Sequence, residues 1–282
     1  MAGLDLWFQE THKDQIAFSV RVTGYLWSGK SEFQTLDVID TEAFGRVLLL
    51  DGLFMTTEKD EFIYHEMIAH VPLFSHPAPR RVLVIGGGDG GTVREAVRHP
   101  TVEQVDLVEI DRLVVEKSRE FLPTIACALD DPKVRVHYED GIRWVQGHAD
   151  TYDVIVVDST DPIGPAVGLF SEAFYADCRK ALTADGVLTA QTESPFFDRE
   201  EVTFIYGNLR KVFPDARPYT ASIPTYPGGY WCFAFASKGP DPLDGPDPER
   251  YRPLGEELKY YNPEIHRAAF ALPTYFRKLL GP

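Results

Sequence analysis

The chain has 282 residues, enough to bury a sizeable core as one large domain or one domain plus a small partner. With 44% hydrophobic and 25% charged residues it reads as a soluble globular protein, and no apolar run approaches the roughly 18 residues of a membrane helix. Its 28 Lys and Arg against 43 Asp and Glu leave a formal net charge of −15, which argues against a nucleic-acid partner, whose phosphates need a basic face, and suits small cationic ligands or solubility alone. The start, Met1-Ala2-Gly3-Leu4-Asp5, has neither the basic region nor the apolar core of a secretory signal. Residues 5 to about 56 then alternate in the strand manner, with runs at 17–22, 35–39 and 46–50 and turns at Ser28-Gly29-Lys30 and Asp51-Gly52. This predicts a small antiparallel N-terminal β-domain over 1–57. Residues 58–74 read as a helix, with Phe62, Ile63, Met67 and Ile68 at helical spacing, Thr57 as its cap and Pro72 disturbing its end. Ser75-His76-Pro77-Ala78-Pro79 links this helix to the main domain.

From Arg80 the pattern is strand, helix, strand. Strands are predicted over 81–86, 104–109, 133–138, 152–158 and 186–192, and helices over 91–98, 111–121, 171–182 and 199–212. Such alternation gives a doubly wound, Rossmann-like, mostly parallel sheet covered on both faces, here spanning 58–282. Residues 215–222 and 230–237 form a terminal antiparallel pair, 241–253 a surface loop, and 262–279 a last helix. Cys127, Cys178 and Cys232 are odd in number and widely spaced, which argues against a disulfide framework or a zinc site and for a reducing, cytoplasmic compartment.

The most informative stretch is Val82-Leu83-Val84-Ile85-Gly86-Gly87-Gly88-Asp89-Gly90-Gly91. A buried strand runs into a glycine turn and a helix, and the next strand ends in the acid Glu109 about 20 residues on, where such folds hold ribose hydroxyls. Ligands of these folds bind beyond the carboxyl ends of the parallel strands. Those ends carry Asp89, Glu109, Asp140-Gly141, Asp158-Ser159-Thr160-Asp161 and Gln191-Thr192-Glu193. So many carboxylates without basic neighbours would repel one another unless a cation sits among them, and no Lys or Arg clamp accompanies them for magnesium-phosphate chemistry. An organic polycation is the expected ligand, with no metal. Asp158 and Asp161 are close enough to face one pocket, and Pro162-Ile163-Gly164-Pro165 suits a loop over it. An Asp-rich turn before a helix capped at Ser171 is the other reading of that segment.

The segments Tyr64-His65-Glu66-Met67-Ile68, Gly86 to Gly91, Asp158 to Pro165, Ile223-Pro224-Thr225-Tyr226-Pro227 and Tyr260 to Phe270 together resemble the spermidine synthase family of aminopropyltransferases, over about Trp7 to Leu280. The resemblance implies transfer of the aminopropyl group of decarboxylated S-adenosylmethionine to putrescine, giving spermidine and 5′-methylthioadenosine, with the donor as co-substrate and no cofactor. It implies a nucleoside site at Gln34, Glu109, Asp140, Gly141 and Pro165. It implies a polyamine site at Tyr64, His65, Asp89, Asp158, Ser159, Thr160, Asp161, Gln191, Glu193 and Tyr226, with Trp7 as an apolar wall. Asp158 would be the proton acceptor, and Tyr64 and Tyr226 would orient the amine or the base. His65 follows the bacterial pattern of the family, where other branches carry Gln. A homodimer or homotetramer is implied by the family, with the small sheet as its surface. Agmatine, cadaverine or a longer polyamine would use the same carboxylates. A methyltransferase sharing the fold is disfavoured by Asp89, which would repel the methionine carboxylate of ordinary S-adenosylmethionine but pair with the amine left after decarboxylation. A non-catalytic polyamine-binding protein would not need all of these residues together.

Overall fold

The computed structural model describes residues 5–162 and 164–281, with the side chain of Pro165 outside the described set. The chain opens with five strands, β1 (Leu6–His12), β2 (Ile16–Lys30), β3 (Thr35–Thr41), β4 (Gly45–Leu50) and β5 (Leu53–Thr57), joined in sequence order into one antiparallel sheet. The alternation in β3 and β4 sorts their side chains. Leu36, Val38, Leu48 and Leu50 pack toward the main body, while Ile39, Val47 and Leu49 close a separate core with Val20 and Phe54. Asp51 and Gly52 both take positive φ, as a two-residue hairpin requires. The segment Ser28 to Lys30, expected as a turn, is strand. Those residues pair with Thr35 to Asp37, and the chain reverses instead at 31–34, where the Ser31 hydroxyl accepts from the Phe33 and Gln34 amides. A serine-seated turn replaces the glycine turn, and Gly29 lies in the strand.

Helix α1 (Glu61–Ser75) comes next, beginning three residues later than expected. Thr57 does not cap it directly. Its hydroxyl accepts from the Lys59 and Asp60 amides and donates to Asp60, so it braces the turn before the helix. Then come β6 (Arg81–Gly86), α2 (Gly91–Val97), β7 (Gln104–Val108), α3 (Arg112–Phe121), β8 (Val134–His137), α4 (Gly141–Gln146), β9 (Tyr152–Asp158), a 3₁₀ turn (Gly164–Phe170), α5 (Glu172–Ala181), β10 (Leu182–Gln191), α6 (Arg199–Val212), β11 (Arg217–Ala221) and β12 (Trp231–Ser237). The second sheet has the order β11-β12-β10-β9-β6-β7-β8, parallel from β10 to β8, with an antiparallel pair at the other edge. Both faces are buried, as the β-branched runs require. Val82, Val84, Val154 and Val156 pack with α1 residues on one side, and Leu83, Ile85, Ile155 and Val157 pack with α5 and α6 residues on the other.

The C-terminal region departs from expectation. The predicted loop over 241–253 contains a 3₁₀ turn (Pro242–Asp244) and most of α7 (Pro248–Gly255), which Asp247 caps by accepting from the Glu249 amide. The single predicted helix over 262–279 is two, α8 (Pro263–Ala269) and α9 (Thr274–Leu280). Pro273 disfavours helical backbone at the residue before it, and the chain breaks there. Among the described residues, no helix is long and apolar enough to cross a membrane.

Candidate active site

Strand order reverses around β6. Its neighbours are β7 on one side and β9 on the other, and each carries the chain away in a different direction. Crevices at such a switch point are where doubly wound sheets bind ligands. A cavity of about 290 Å³ opens there, and the N-terminal sheet contributes Leu48, Leu50, Leu53 and Met55 to its wall. The glycine turn lets the backbone lie on the floor of this cavity. Gly86 has φ +78, and a Cβ there would overlap the Asp158 backbone; at Gly88 it would sit 2.9 Å from Glu109 Oε2.

One end of the cavity suits a nucleoside. Glu109 follows β7, and its Oε1 accepts from the Asp111 amide at 2.8 Å. Burial, with the Asp111 charge adding to it, pushes this carboxyl up to about 7, against the backbone amides of Asp111 and Gly88. Asp140 follows β8 and caps α4 through the Ile142 amide at 2.8 Å, with Gly141 packed on Ile85. Gln34 reaches in from the 31–34 turn and is held by its Nε2 donating to Asp111 Oδ2 at 2.9 Å. All four line the cavity, beside Ile110 and Ile142. Pro165 lies outside the described side chains.

The other end is anionic. Asp158 ends β9, beside Gly86 in the β6 register. Tyr64 Oη donates to Asp158 Oδ1 at 2.6 Å and Thr92 Oγ1 donates to Oδ2 at 2.6 Å. Burial raises the Asp158 carboxyl above its ordinary range, and the Asp89 charge raises it further. Each carboxylate oxygen still has a free acceptor site, so Asp158 is a positioned base with capacity for one more proton. Tyr226 is placed by its hydroxyl donating to the Met55 carbonyl at 2.8 Å. It packs edge-on against Tyr64, so the two rings form one wall.

The expectation that no basic residue compensates these acids is corrected by the structure. His65 Nε2 lies 3.3 Å from Asp89 Oδ1, and His65 Nδ1 donates to Glu61 Oε2 at 2.6 Å. Arg94 in turn grips both Glu61 oxygens, at 3.0 and 2.8 Å. Burial works against a charged imidazole here, but the two flanking carboxylates outweigh it and hold His65 well above its ordinary value. Asp89 feels the same burial, which the His65 charge overcomes, so its carboxyl stays below the usual range. The helix α1, which precedes the Rossmann-like sheet in sequence, thus supplies the counter-charge that the strand ends lack.

A smaller cavity of about 40 Å³ continues from the anionic end, sharing Tyr64, Tyr226 and Ser159 to Asp161 with the larger one. Gln191 Nε2 donates to the Ser159 carbonyl at 3.2 Å and to Glu193 Oε1 at 3.1 Å. Glu193 has φ +72, a conformation that costs a non-glycine residue about 1–3 kcal/mol. The backbone on either side is fixed by β12, with the Cys232 amide donating to the Glu193 carbonyl. Burial raises both the Asp161 and Glu193 carboxyls above their ordinary range, and the Asp161 charge raises Glu193 further. Trp7 is not part of either wall. It lies 58% exposed on β1, one pleat out of phase with Glu10 and His12, which do line the smaller cavity. The sequence reading missed Glu10, His12, Thr92, Trp231 and the Glu61–Arg94 brace. A signal existed for Glu10, since an acid at an inward parity beside Phe8 has no reason to be buried unless it faces a polar cavity.

Fold and site together define a Rossmann-like protein whose switch-point crevice joins an end walled by Gln34, Glu109, Asp140 and apolar side chains to a second, carboxylate-lined end. The sequence pattern described as "Spermine/spermidine synthase domain" matches residues 61–243, and that described as "Spermidine synthase tetramerisation domain" matches residues 6–58. The chain belongs to the spermine/spermidine synthase family. It is similar to the polyamine aminopropyltransferase of Moorella thermoacetica, 54% identical over 276 residues covering 98% of this chain and 96% of the relative, and to that of Clostridium perfringens, 50% identical over 279 residues covering 98% of each. Among solved structures, a spermidine synthase in complex with the transition-state analogue AdoDATO superposes with a TM-score of 0.95 at 45% identity, covering 98% of this chain and 94% of that one. The spermidine synthase from Thermotoga maritima does so with a TM-score of 0.93, also at 45% identity and with the same coverage.

Proposed function

We propose that this chain is a polyamine aminopropyltransferase that moves the aminopropyl group of decarboxylated S-adenosylmethionine to putrescine. The amine nitrogen attacks the carbon beside the sulfonium, the carbon–sulfur bond breaks, and sulfur takes the electron pair to become the thioether of 5′-methylthioadenosine. Asp158 first takes one proton from the protonated amine, and the product nitrogen keeps its remaining two protons as the secondary ammonium of spermidine. The sulfonium is itself the leaving group, so this reaction calls for no cofactor. The observation that carries the reading is the placement of Asp158, held by Tyr64 and Thr92 at the junction of the nucleoside end and the carboxylate end. An amine titrating near lysine's value of about 10.4 is protonated at neutral pH at a cost of roughly 4 kcal/mol to reverse, and a buried carboxylate in contact with it offsets that cost by accepting the proton. Alignment of nitrogen, carbon and sulfur at about 3–3.5 Å is the remaining work, which the two ends of the cleft perform by holding one substrate each.

Within this reading Glu109 accepts from the ribose hydroxyls, Asp140 and Gln34 hold the base side, and Asp89 with His65 receives the donor's ammonium. The sheet over 6–58 assembles the enzyme into a homo-oligomer, supported by the tetramerisation pattern and by the exposed Leu6, Trp7, Tyr25 and Leu26 on it. Incubation with decarboxylated S-adenosylmethionine and putrescine, agmatine or cadaverine, with products identified by mass, tests the reading. Spermidine and methylthioadenosine from putrescine are expected; methylated products from ordinary S-adenosylmethionine, or binding without turnover, would overturn it.

A further inference from the structure

The smaller cavity is where the far end of an amine acceptor lies, on the reading just proposed. Its residues absent from the main cleft include Glu10, Glu193, Trp231 and His12. The first two stand with Asp161 as a cluster of three carboxyl groups on the wall of the smaller cavity. Beyond them the character changes. His12 stands between the cavity and solvent, its side chain 16% exposed, and its Nε2 meets Asp198 Oδ1 at 2.9 Å. The same carboxylate oxygen takes Lys13 Nζ at 3.0 Å, and Lys13 also reaches Glu201 at 2.9 Å. The His12 ring rests edge-on against Phe197. Asp198 is buried, and its other oxygen, Oδ2, has no hydrogen-bond partner among the described residues. The turn joining β1 to β2 is thereby fastened to the N-terminus of α6 across the far end of the pocket.

We infer that His12, pinned by Asp198 and backed by Lys13, is the stop that sets acceptor length, admitting a diamine and refusing a triamine. Two effects act together. The cavity of about 40 Å³ has room for only a few non-hydrogen atoms, at the roughly 10–15 Å³ needed for one water. A third ammonium carried past Glu10, Asp161 and Glu193 would meet an imidazole ring and then the Lys13 ammonium, both of them held on Asp198 Oδ1. The stop does not hinder the product. Spermidine formed in place carries its new nitrogen on the donor side, beside Asp89, whereas spermidine offered as an acceptor must push its third nitrogen past His12.

His12→Ala removes the ring and bares the Asp198 carboxylate that it covers, so the variant should gain a function. The measurement is kcat/KM for putrescine and for spermidine as acceptors, with decarboxylated S-adenosylmethionine as donor. The triamine-to-diamine ratio should rise at least about tenfold, the scale on which pocket contacts discriminate substrates. His12→Gln, which keeps a donor to Asp198 and most of the bulk, should hold the ratio near that of the parent. A ratio unchanged in His12→Ala, with both rates falling together, would overturn the assignment, as would an equal rise in His12→Gln. Should His12→Ala not be recovered folded, Lys13→Ala decides: removing one exposed cation should raise the ratio about threefold, and an unmoved ratio overturns the inference. A parent enzyme that uses no amine at all would defeat the proposed function itself, whereas turnover of putrescine with an unmoved ratio defeats only the stop.

Discussion

Two carboxyls in this cleft are held differently and do different things. Asp158 is bonded on both oxygens by hydroxyls, so Asp158→Asn keeps the shape and the Tyr64 contact while removing the proton acceptor. Turnover should fall by about 10²-fold or more with methylthioadenosine affinity nearly unchanged, and near-normal turnover would remove Asp158 from the chemistry. Glu109 titrates at about 7 against an ordinary 4.5, because it is buried with only backbone amides to stabilise its charge. Between those values the folded state keeps a proton that the unfolded state has lost, so its contribution to stability falls as pH rises through the window, by up to roughly 3 kcal/mol. Ribose hydroxyls donate to the ionised form, so methylthioadenosine should bind more tightly at about pH 8 than at about pH 6. Glu109→Gln should abolish both trends, melting higher than the parent above neutral pH while binding the nucleoside weakly. Parallel pH slopes in melting and titration for the two proteins would refute the assignment. The place of both acids at strand ends is legible in the sequence, and their proposed roles rest on it. The sequence does not show the partner of Asp89. His65 lies 24 positions earlier, on a helix whose packing onto the sheet is a tertiary fact, and on the proposed reading the donor's ammonium has to join or displace its imidazole at Asp89.

Elements were legible where local chemistry and tertiary demand agreed. The runs Val82 to Ile85 and Val154 to Val157 are apolar because both faces are covered, and their strands lie within a residue or so of expectation. Short helices were less so. The six-residue α4 follows Asp140 directly, and the binding role expected of Asp140 obscured its equally ordinary role as a cap. The signal for α7 is present in Asp247-Pro248-Glu249, a cap, a first-turn proline and a first-turn acid, inside a stretch whose proline and glycine content otherwise reads as loop. What anchors this C-terminal region is on α1. The carboxylate of Glu66, 2% exposed, accepts from the Lys259, Tyr260 and Tyr261 amides at 2.9, 2.8 and 2.7 Å. Hydrogen bonds to a charged group contribute about 1.5–3 kcal/mol each, though not additively, so Glu66→Ala should destabilise the protein by about 3–5 kcal/mol. Denaturant unfolding measures this directly, and a loss below about 1 kcal/mol would show that the segment after α7 holds its place without Glu66.

At the scale of the whole molecule, the −15 net charge and the cleft act in the same direction on the proposed amine acceptor and not on methylthioadenosine, the uncharged product. On the proposed reading the acceptor is a dication approaching a chain with 43 acids and 28 strong bases, whose crevice places Asp89, Asp158, Asp161, Glu193 and Glu10 around two connected cavities. A low-dielectric cleft of one sign focuses the field and raises the local concentration of the opposite ion. Methylthioadenosine carries no charge at neutral pH, so the Glu109 and Asp140 carboxyls at the end of the cleft assigned to it serve as hydrogen-bond acceptors beside Leu50, Ile110 and Ile142 rather than as counter-charges. Raising ionic strength from about 0.1 to about 1 M shortens the Debye length from about 10 to about 3 Å, which screens the approach of the amine but not the burial of the nucleoside. The KM for putrescine should therefore rise severalfold over that range, while the methylthioadenosine dissociation constant stays within about twofold. Contacts made by the bound amine with buried carboxylates are screened less, so the effect should appear chiefly as a slower association rate, measurable by stopped-flow mixing. Equal salt sensitivity for the two ligands, or an amine KM indifferent to salt, would mean that the surplus of acids serves the surface alone and that the cleft draws its substrate by contact rather than by field.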